Sequence, residues 1–333
     1  MSLSVVIVAY GAGPALPRCL DSLAGEADEV IVVDNGNGSS EIEDARGRGG
    51  VRVVAPGANL GFAAGANLGA GEAAGETIVF LNPDTVAAPG ALRQLESRLA
   101  DPTIGIAMAR LRLLDRPELL NSSGTRIHVS GIGWAGGYGE PADSVDRLSE
   151  VPAPSGAAMA VRAETFRELG GFAEELFMYL EDLELGWRAR LAGLRVVLDP
   201  EADVFHDYAF GRNPRKSYYL ERNRLVFCLS AYSLRALLLL SPVLVSTELG
   251  MVALALKEGW LRDKLAGWGW LVGNARVVSR RRRSTQQLRK VRDRELAALL
   301  TPVFSPGMVP VPRLLRAANP LVSGYWAAIK RLL

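Results

Sequence analysis

Short apolar runs recur along the first part of the chain, each closed by turn-forming residues. Residues 3–9 (LSVVIVA) stop before Gly11 and Gly13, and 29–33 (EVIVV) stop at Asp34-Asn35-Gly36. Residues 51–55 (VRVVA) stop at Pro56-Gly57, and 77–81 (TIVFL) at Asn82-Pro83-Asp84. Runs this short, β-branched and free of polar alternation predict strands covered on both faces. Helical patterns fill the intervals at 14–24, 39–47 and 61–74. The alternation predicts an α/β fold with a doubly wound, mostly parallel sheet flanked by helices. Ligands are then expected at the C-terminal strand ends, where Tyr10, Asp34, Asn35, Asn82 and Asp84 cluster.

Residues 115–152 are rich in Gly, Ser and Pro and weakly periodic, which predicts an irregular excursion with short strands. Residues 156–162 predict a strand, 180–192 an amphipathic helix, and 194–206 one or two strands ending at His206. The catalytic unit is expected to close near residue 210, giving a 1–210 domain and a 211–333 helical extension. In that extension 216–240 predicts a long helix. From Ala236 to Leu256 the one charge is Glu248, and the apolar length just reaches the roughly 20 residues of a bilayer span. Glu248 near its middle disfavours a span, and Pro242 predicts a break into two helices.

Composition narrows the classes. Hydrophobic residues make up 49% of the 333, enough for a sizeable core and against wholesale disorder. Cys19 and Cys228 stand far apart without metal-type spacing, so no disulfide framework is expected and a reducing compartment is the default. No secretory signal pattern opens the chain. The net charge of +2 hides an asymmetry. Residues 1–205 carry 16 Lys and Arg against 29 Asp and Glu, whereas 206–333 carry 22 against 7. The basic part interleaves with Leu, Val and Trp, which suits an anionic membrane surface better than nucleic acid. Trp260, Trp268 and Trp270 followed by Arg280–Arg283 predict helices lying in the membrane interface. A true span, or a soluble or dimer-forming extension (a homodimer), stays open.

Several residues carry candidate chemistry. Asp84, just past a strand, suits a Mg²⁺ or Mn²⁺ ligand neutralising a diphosphate, or an ordinary turn or cap. Asp34 suits a helix cap or an acceptor for a pyrimidine N3–H. The stretch 57–71 (GANLGFAAGANLGAG) suits close approach to phosphate at a helix N-terminus, or a small-residue helix packed tightly on the sheet. Glu181-Asp182 opens a helix after Phe177–Tyr179, as a general base or as dipole-complementing charges. Glu184, one turn on, reads as structural. His206 is a metal ligand if it faces Asp84; His128 lacks such a context.

Taken in order, VVIVAYGAGPALPRCLDSL, VIVVDNGNGSS, NLGFAAGANLG, FLNPDT, PSGAAMAVR, GGFAEELFMYLEDLELGWRARLAG and His206 resemble inverting family 2 glycosyltransferases of the GT-A fold over about residues 1–210. The subgroup they are most similar to is that of bacterial rhamnosyltransferases acting on polyprenyl-diphosphate-linked acceptors. The resemblance implies base contacts at Ala9, Tyr10 and Asp34, and a nucleotide-lining segment at Asn59, Gly61 and Asn67. It implies an Asp-x-Asp-like element at Asn82 and Asp84, with Asp84 and His206 as metal ligands and Asn at the first position in place of Asp. It further implies Asp182 as catalytic base with Glu181 beside it, and an acceptor-facing or helix-packing pair at Trp187 and Arg188. In GRNPRKSYYLERNRL, residues Arg212, Arg215, Lys216 and Arg222 are expected to hold a diphosphate, or to form a solvated basic face.

The expected function is therefore transfer of a sugar, best matched by L-rhamnose from dTDP-β-L-rhamnose, onto polyprenyl-diphosphate-linked N-acetylglucosamine. The expected place is the cytoplasmic face of the inner or plasma membrane. A UDP-sugar donor is the alternative within this class. A nucleotidyltransferase would show a Gly-rich, Arg- or Lys-containing loop after the first strand, where AYGAGPALPR has no lysine. An inactive assembly factor is disfavoured by the retention of Asp84, Asp182 and His206.

Overall fold

A computed structural model describes residues 2–333 except 12, 37, 208–214 and 308–312, and excludes the side chains of 313–315. The chain opens with β1 (Leu3–Ala9), α1 (Ala15–Asp21), β2 (Glu29–Asp34), α2 (Ser40–Gly47), β3 (Val51–Val54), α3 (Gly61–Glu72) and β4 (Thr77–Leu81). It continues through β5 (Thr85–Ala87), α4 (Ala91–Arg98) and β6 (Ile104–Leu113). The expected excursion holds β7 (Leu120–Ser122), β8 (Thr125–His128), β9 (Gly133–Ala135) and β10 (Ser149–Glu150). Then come β11 (Ala158–Arg162), α5 (Ala163–Leu169), α6 (Glu181–Leu191) and the long β12 (Arg195–His206). The remainder is α7 (Lys216–Ala231), α8 (Leu234–Glu258), α9 (Leu261–Gly273), α10 (Ala275–Gln287), α11 (Asp293–Ala297), β13 (Leu300–Thr301) and α12 (Arg313–Ile329).

The main sheet runs β10-β12-β6-β11-β4-β1-β2-β3. Its β3-β2-β1-β4 half is parallel, β11 is antiparallel to both neighbours, and β6 and β12 are parallel to each other. The apolar runs are unbroken because both faces are covered. Val5, Ile7, Val32, Val79 and Leu81 pack under α1, α2 and α4. Val6, Val8, Ile31, Val33 and Phe80 pack under α3, α5 and α6. The glycines of α3 mainly serve this packing. A Cβ at Gly69 would lie 2.4 Å from Val6 Cγ1, and one at Gly65 would lie 3.0 Å from Val8 Cγ1.

The C-terminal helices dock on the same body. Leu183 and Trp187 of α6 share one apolar cluster with Phe227 and Tyr232, with Leu240 of α8, and with Trp326 and Ile329 near the C-terminus. A small sheet, β13-β8-β9, adds a backbone tie.

Two sequence expectations change here. The helix expected over 216–240 breaks at Tyr232–Ser233, where the Ser233 hydroxyl accepts the Ala236 N–H at 3.0 Å and caps α8. Pro242, by contrast, does not break α8. The Leu238 carbonyl that Pro242 cannot serve accepts the Ser241 hydroxyl at 2.8 Å instead.

Glu248 is not an isolated charge. Glu221, Arg224, Glu248 and Lys264 form a quartet across α7, α8 and α9. Lys264 Nζ lies 2.5 Å from Glu221 and 2.8 Å from Glu248, and Arg224 pairs with both carboxylates. Two cations against two anions make the cluster neutral, and each charge has hydrogen-bonding partners. That satisfies the conditions under which buried ions are tolerated.

The expected interfacial anchors are partly spent inside the protein. Trp268 Nε1 donates to Glu248 at 3.0 Å, and Trp270 lies under Arg222. Arg281 pairs with Glu175 at 2.6 Å, and Arg282 donates to the carbonyls of Leu229 and Tyr232. The largest group of exposed apolar side chains lies on α8. Leu234, Leu238, Val245, Leu249 and Leu256 are all exposed. Their spacings of four and seven put them on one helical face.

Candidate active site

The parallel strands end side by side and gather three groups of residues. At the β1–β2 end, Ala9 lies opposite Asp34 in register, and its carbonyl accepts the Asn35 N–H at 2.9 Å. Asp34 is buried and accepts the Gly38 N–H at 3.1 Å, whereas Tyr10 is 62% exposed. An exposed phenol beside a buried carboxylate offers a stacking face next to a hydrogen-bond acceptor. Asn35 builds the adjoining loop. Its Oδ1 accepts the Leu60 N–H at 2.8 Å, and its Nδ2 donates to Asn59 Oδ1 at 3.0 Å and to the Gly61 carbonyl at 3.1 Å. Asn59 Oδ1 also accepts the Gly61 N–H at 2.9 Å. Gly61 has φ +76°, and a Cβ there would meet the Phe177 carbonyl at 2.4 Å. Both its backbone angle and its surroundings require glycine.

The second group sits where β4 ends. Asn82 is half-buried, and its carbonyl accepts the Thr85 hydroxyl at 2.7 Å, which fixes the turn carrying Asp84. β5 then pairs antiparallel with β12, placing His206 opposite Thr85. That ladder brings His206 Nε2 to 3.2 Å from Asp84 Oδ1. The other ring nitrogen, Nδ1, is 3.0 Å from Asn121 Oδ1. An amide oxygen can only accept, so Nδ1–H donates to Asn121 and Nε2 is the ring nitrogen on the Asp84 side, the outer-shell arrangement typical of histidine ligands. Among the described residues no cluster of three or more His, Cys, Asp or Glu side chains forms a metal cage.

The third group opens α6. Asp182 accepts the Gly156 N–H at 2.7 Å and the Leu183 N–H at 2.7 Å. Burial pushes its pKa up, while the Gly156 and Leu183 amides pull the other way. Glu181 is buried, its Oε2 has no hydrogen-bond partner, and burial together with the Asp182 charge pushes it up to about 8. Burial and mutual repulsion favour a proton shared by the pair, and the two amides donated to Asp182 favour the charge residing there. The second and third groups meet through one backbone segment: Gly156 donates to Asp182, and the next carbonyl, of Ala157, accepts the Asn82 N–H at 3.0 Å.

Other expected site residues have different partners. Asn67 does not line the nucleotide loop. It brackets Phe172, donating to its carbonyl at 3.0 Å and accepting its N–H at 2.8 Å, and it also donates to Glu174. Arg222 is 4% exposed and spends its donors on protein carbonyls rather than on a phosphate. Lys216, in the first turn of α7, stands 5.7 Å from the centre of the Tyr179 ring, and burial lowers it to about 8. Arg215 lies over Tyr218 at 4.8 Å, and Arg212 lies outside the described residues. Trp187 is in the core, and Arg188 pairs with Glu184 at 2.7 Å, so both pack the helix. Cys19 and Cys228 are free, and burial raises both thiols to about 12. Sequence reasoning missed Asn121, Gly156 and Asn223, each of which orients a site group through the backbone or a ring nitrogen.

Comparison with known proteins follows the same geometry. Residues 4–170 match the model of glycosyl transferase family 2. The N-acetylglucosaminyl-diphospho-decaprenol L-rhamnosyltransferase of Mycobacterium tuberculosis is 32% identical over 243 residues, covering 64% of this chain and 78% of the relative. Among solved structures, GalNAc-T7 with UDP, GalNAc and Mn²⁺ superposes with a TM-score of 0.59 at 19% identity, over 69% of this chain and 48% of that one. The mannosyltransferase PcManGT of Pyrobaculum calidifontis, with GDP-Man and Mn²⁺, gives 0.51 at 18% identity, over 99% and 86%. These two establish the fold.

The protonated Glu181 has a measurable consequence. Its folded pKa is raised, so its stabilising contribution is complete below 4.5 and is lost as pH rises through about 8. Glu181→Gln removes that titration. The melting temperature of the wild type should fall relative to Glu181→Gln across that window; parallel curves would remove the shift.

Proposed function

The chain belongs to glycosyl transferase family 2, and from that premise we propose that it transfers L-rhamnose from dTDP-β-L-rhamnose, with inversion, onto polyprenyl-diphosphate-linked N-acetylglucosamine. The single observation that carries the chemistry is that the Gly156–Ala157 segment bonds Asp182 on one side and Asn82, two residues before the Asp84 that pairs with His206, on the other. The donor and acceptor classes rest on the likeness to the mycobacterial rhamnosyltransferase, whose name specifies them.

Each group then has a task. Tyr10 and Asp34 bind the base, and Asn59 and Gly61 shape the loop beside the ribose and phosphates. Asn82 contacts the ribose or a bound water. Asp182 accepts the proton of the acceptor hydroxyl as that oxygen bonds to the anomeric carbon, while the bond from that carbon to the diphosphate oxygen breaks. Attack from the face opposite the diphosphate converts a β-L donor into an α-L product. Glu181, kept protonated, limits the negative charge beside the attacking oxygen. Lys216, beside the Tyr179 ring, and Arg215, beside the Tyr218 ring, serve as cations for a diphosphate.

Asp84 and His206, with Asn121 behind the ring, fit a divalent cation such as Mg²⁺ or Mn²⁺ and would hold it. Bound there, such an ion supplies charge neutralisation for the leaving diphosphate. Arrangement of the chain as a catalytic unit to about residue 210 and a basic helical extension beyond belongs to the same proposal.

The acceptor class calls for a membrane, and α8 supports an in-plane attachment at the cytoplasmic face. It is long and apolar enough to cross, with a mean hydropathy of 2.0 and little of it buried. Its length is nevertheless tied along the body, by Glu248 at its middle and by the Tyr325 hydroxyl on the Leu239 carbonyl at 2.7 Å. A helix held that way presents its exposed stripe to lipid without leaving the protein.

Two outcomes are expected. Asp182→Asn should lose transfer by a factor on the order of 10² to 10⁴ while still binding dTDP in a thermal-shift assay; unchanged turnover would remove it as the base. Leu238→Glu combined with Leu249→Glu should release the protein from anionic vesicles in flotation, and retention by the vesicles would remove α8 as the attachment.

A further inference from the structure

The segment that delivers Glu181 and Asp182 to the cleft has a backbone that ordinary residues avoid. Phe177, Tyr179 and Leu180 have φ values of 65°, 68° and 66°, and no other non-glycine residue described has positive φ. None is an Asn or Asp that tolerates the left-handed region, so the shape persists only where its surroundings impose it. Leu180 is the residue that immediately precedes α6. Relaxation there would turn the first turn of α6, and both carboxylates with it.

The imposing groups come from α7. Asn223 is wholly buried, and its Nδ2 is within donating distance of the carbonyls of Leu176 (3.0 Å), Met178 (2.9 Å) and Tyr179 (2.7 Å). Its two hydrogens are shared among these three acceptors. Arg222 donates from Nη2 to the carbonyls of Glu175 (2.9 Å) and Leu176 (2.7 Å). Arg222 Nε also donates to Asn223 Oδ1 at 2.9 Å, which orients the amide with its NH₂ toward the loop. The guanidinium is itself fixed over Trp270 at 4.7 Å and over Tyr218 and Tyr219 at 5.2 Å each. On the other side the Phe177 carbonyl accepts the Ala63 N–H at 3.1 Å, and the Phe177 ring stacks on Tyr219 at 5.3 Å and 12°.

We propose that Asn223 and Arg222 are positioning residues for glycosyl transfer: by holding the carbonyls of Glu175, Leu176, Met178 and Tyr179 they keep Leu180 left-handed and aim the Asp182 carboxylate at the acceptor hydroxyl. Neither touches substrate. A cation that would otherwise be counted as a phosphate ligand instead fixes the backbone that carries the base. The inference rests on the assignment of Asp182 as base.

The test uses the full chain with Asn223→Ala and Asn223→Asp. Asn223→Asp keeps the size but sets carboxylate oxygens against the carbonyls. In both, kcat should fall about 100-fold, the loss expected when a reacting group is displaced by about 1 Å. Affinity for dTDP should stay at the wild-type value, and peptides covering 175–181 should exchange backbone hydrogen faster. Wild-type kcat in Asn223→Ala, or a loss of dTDP affinity in step with kcat, overturns the proposal. The wild-type protein gives a reading that needs no variant. There the 175–181 amides should exchange as slowly as those of α7, and exchange at the rate of exposed loops overturns the clamp. These readings separate the two claims. Failure of the transferase reading leaves a protected loop without turnover, whereas failure of the clamp leaves turnover with an unprotected loop.

Discussion

The left-handed turn from Phe177 to Leu180 is the constraint around which the cleft is organised. Each residue held in that region costs of order 1 kcal/mol or more, and three of them stand within four positions. Hydrogen bonds worth about 1 kcal/mol apiece, donated by Asn223 and Arg222 to four successive or near-successive carbonyls, offset that cost. The strain is thus opposed at the place where it arises. On the proposed function the sheet provides the nucleotide and metal ends of the cleft, and the base arrives on a loop bonded to a helix some forty positions later in sequence.

One turn of α7 does two jobs at once. Arg222 and Asn223 face the loop, while Glu221 and Arg224 face α8 and α9 in the buried quartet with Glu248 and Lys264. Removing either cation would leave two carboxylates sharing a single cation in a largely buried cluster, an imbalance that is costly where water is excluded. The helix with the exposed apolar stripe and the helix that shapes the catalytic loop are therefore held in register by charges rather than by apolar contact alone. On the proposed function, this ties the membrane-facing surface to the base.

Much of this was legible in the sequence, for definite reasons. The sheet was visible because strands covered on both faces must be apolar without alternation, as in residues 3–9 and 77–81. The cleft polar residues were visible because strand ends in such sheets are where ligands bind. Asn67 and Arg222 were assigned to ligand because a polar side chain near a site gives no sign of whether it faces ligand or backbone. Both proved to serve carbonyls across more than forty residues of sequence. Asn121 was hidden in the weakly patterned excursion, and its role depends on a long-range contact with His206. Pro242 misled because its effect was judged without Ser241, whose hydroxyl serves the carbonyl left over. For Asn223 the one available signal was a run of four polar residues, Glu221 to Arg224, between Leu220 and the apolar Leu225–Leu229.

Inverting transfer of L-rhamnose is the activity proposed for the cleft that holds Asp84, His206 and Asp182. Proton NMR of the product formed from dTDP-β-L-rhamnose and a polyprenyl-diphosphate-linked N-acetylglucosamine reads its stereochemistry. A single new α-L-rhamnoside is expected; a β-L-rhamnoside, or release of free rhamnose with no glycoside formed, would rule the proposed transfer out.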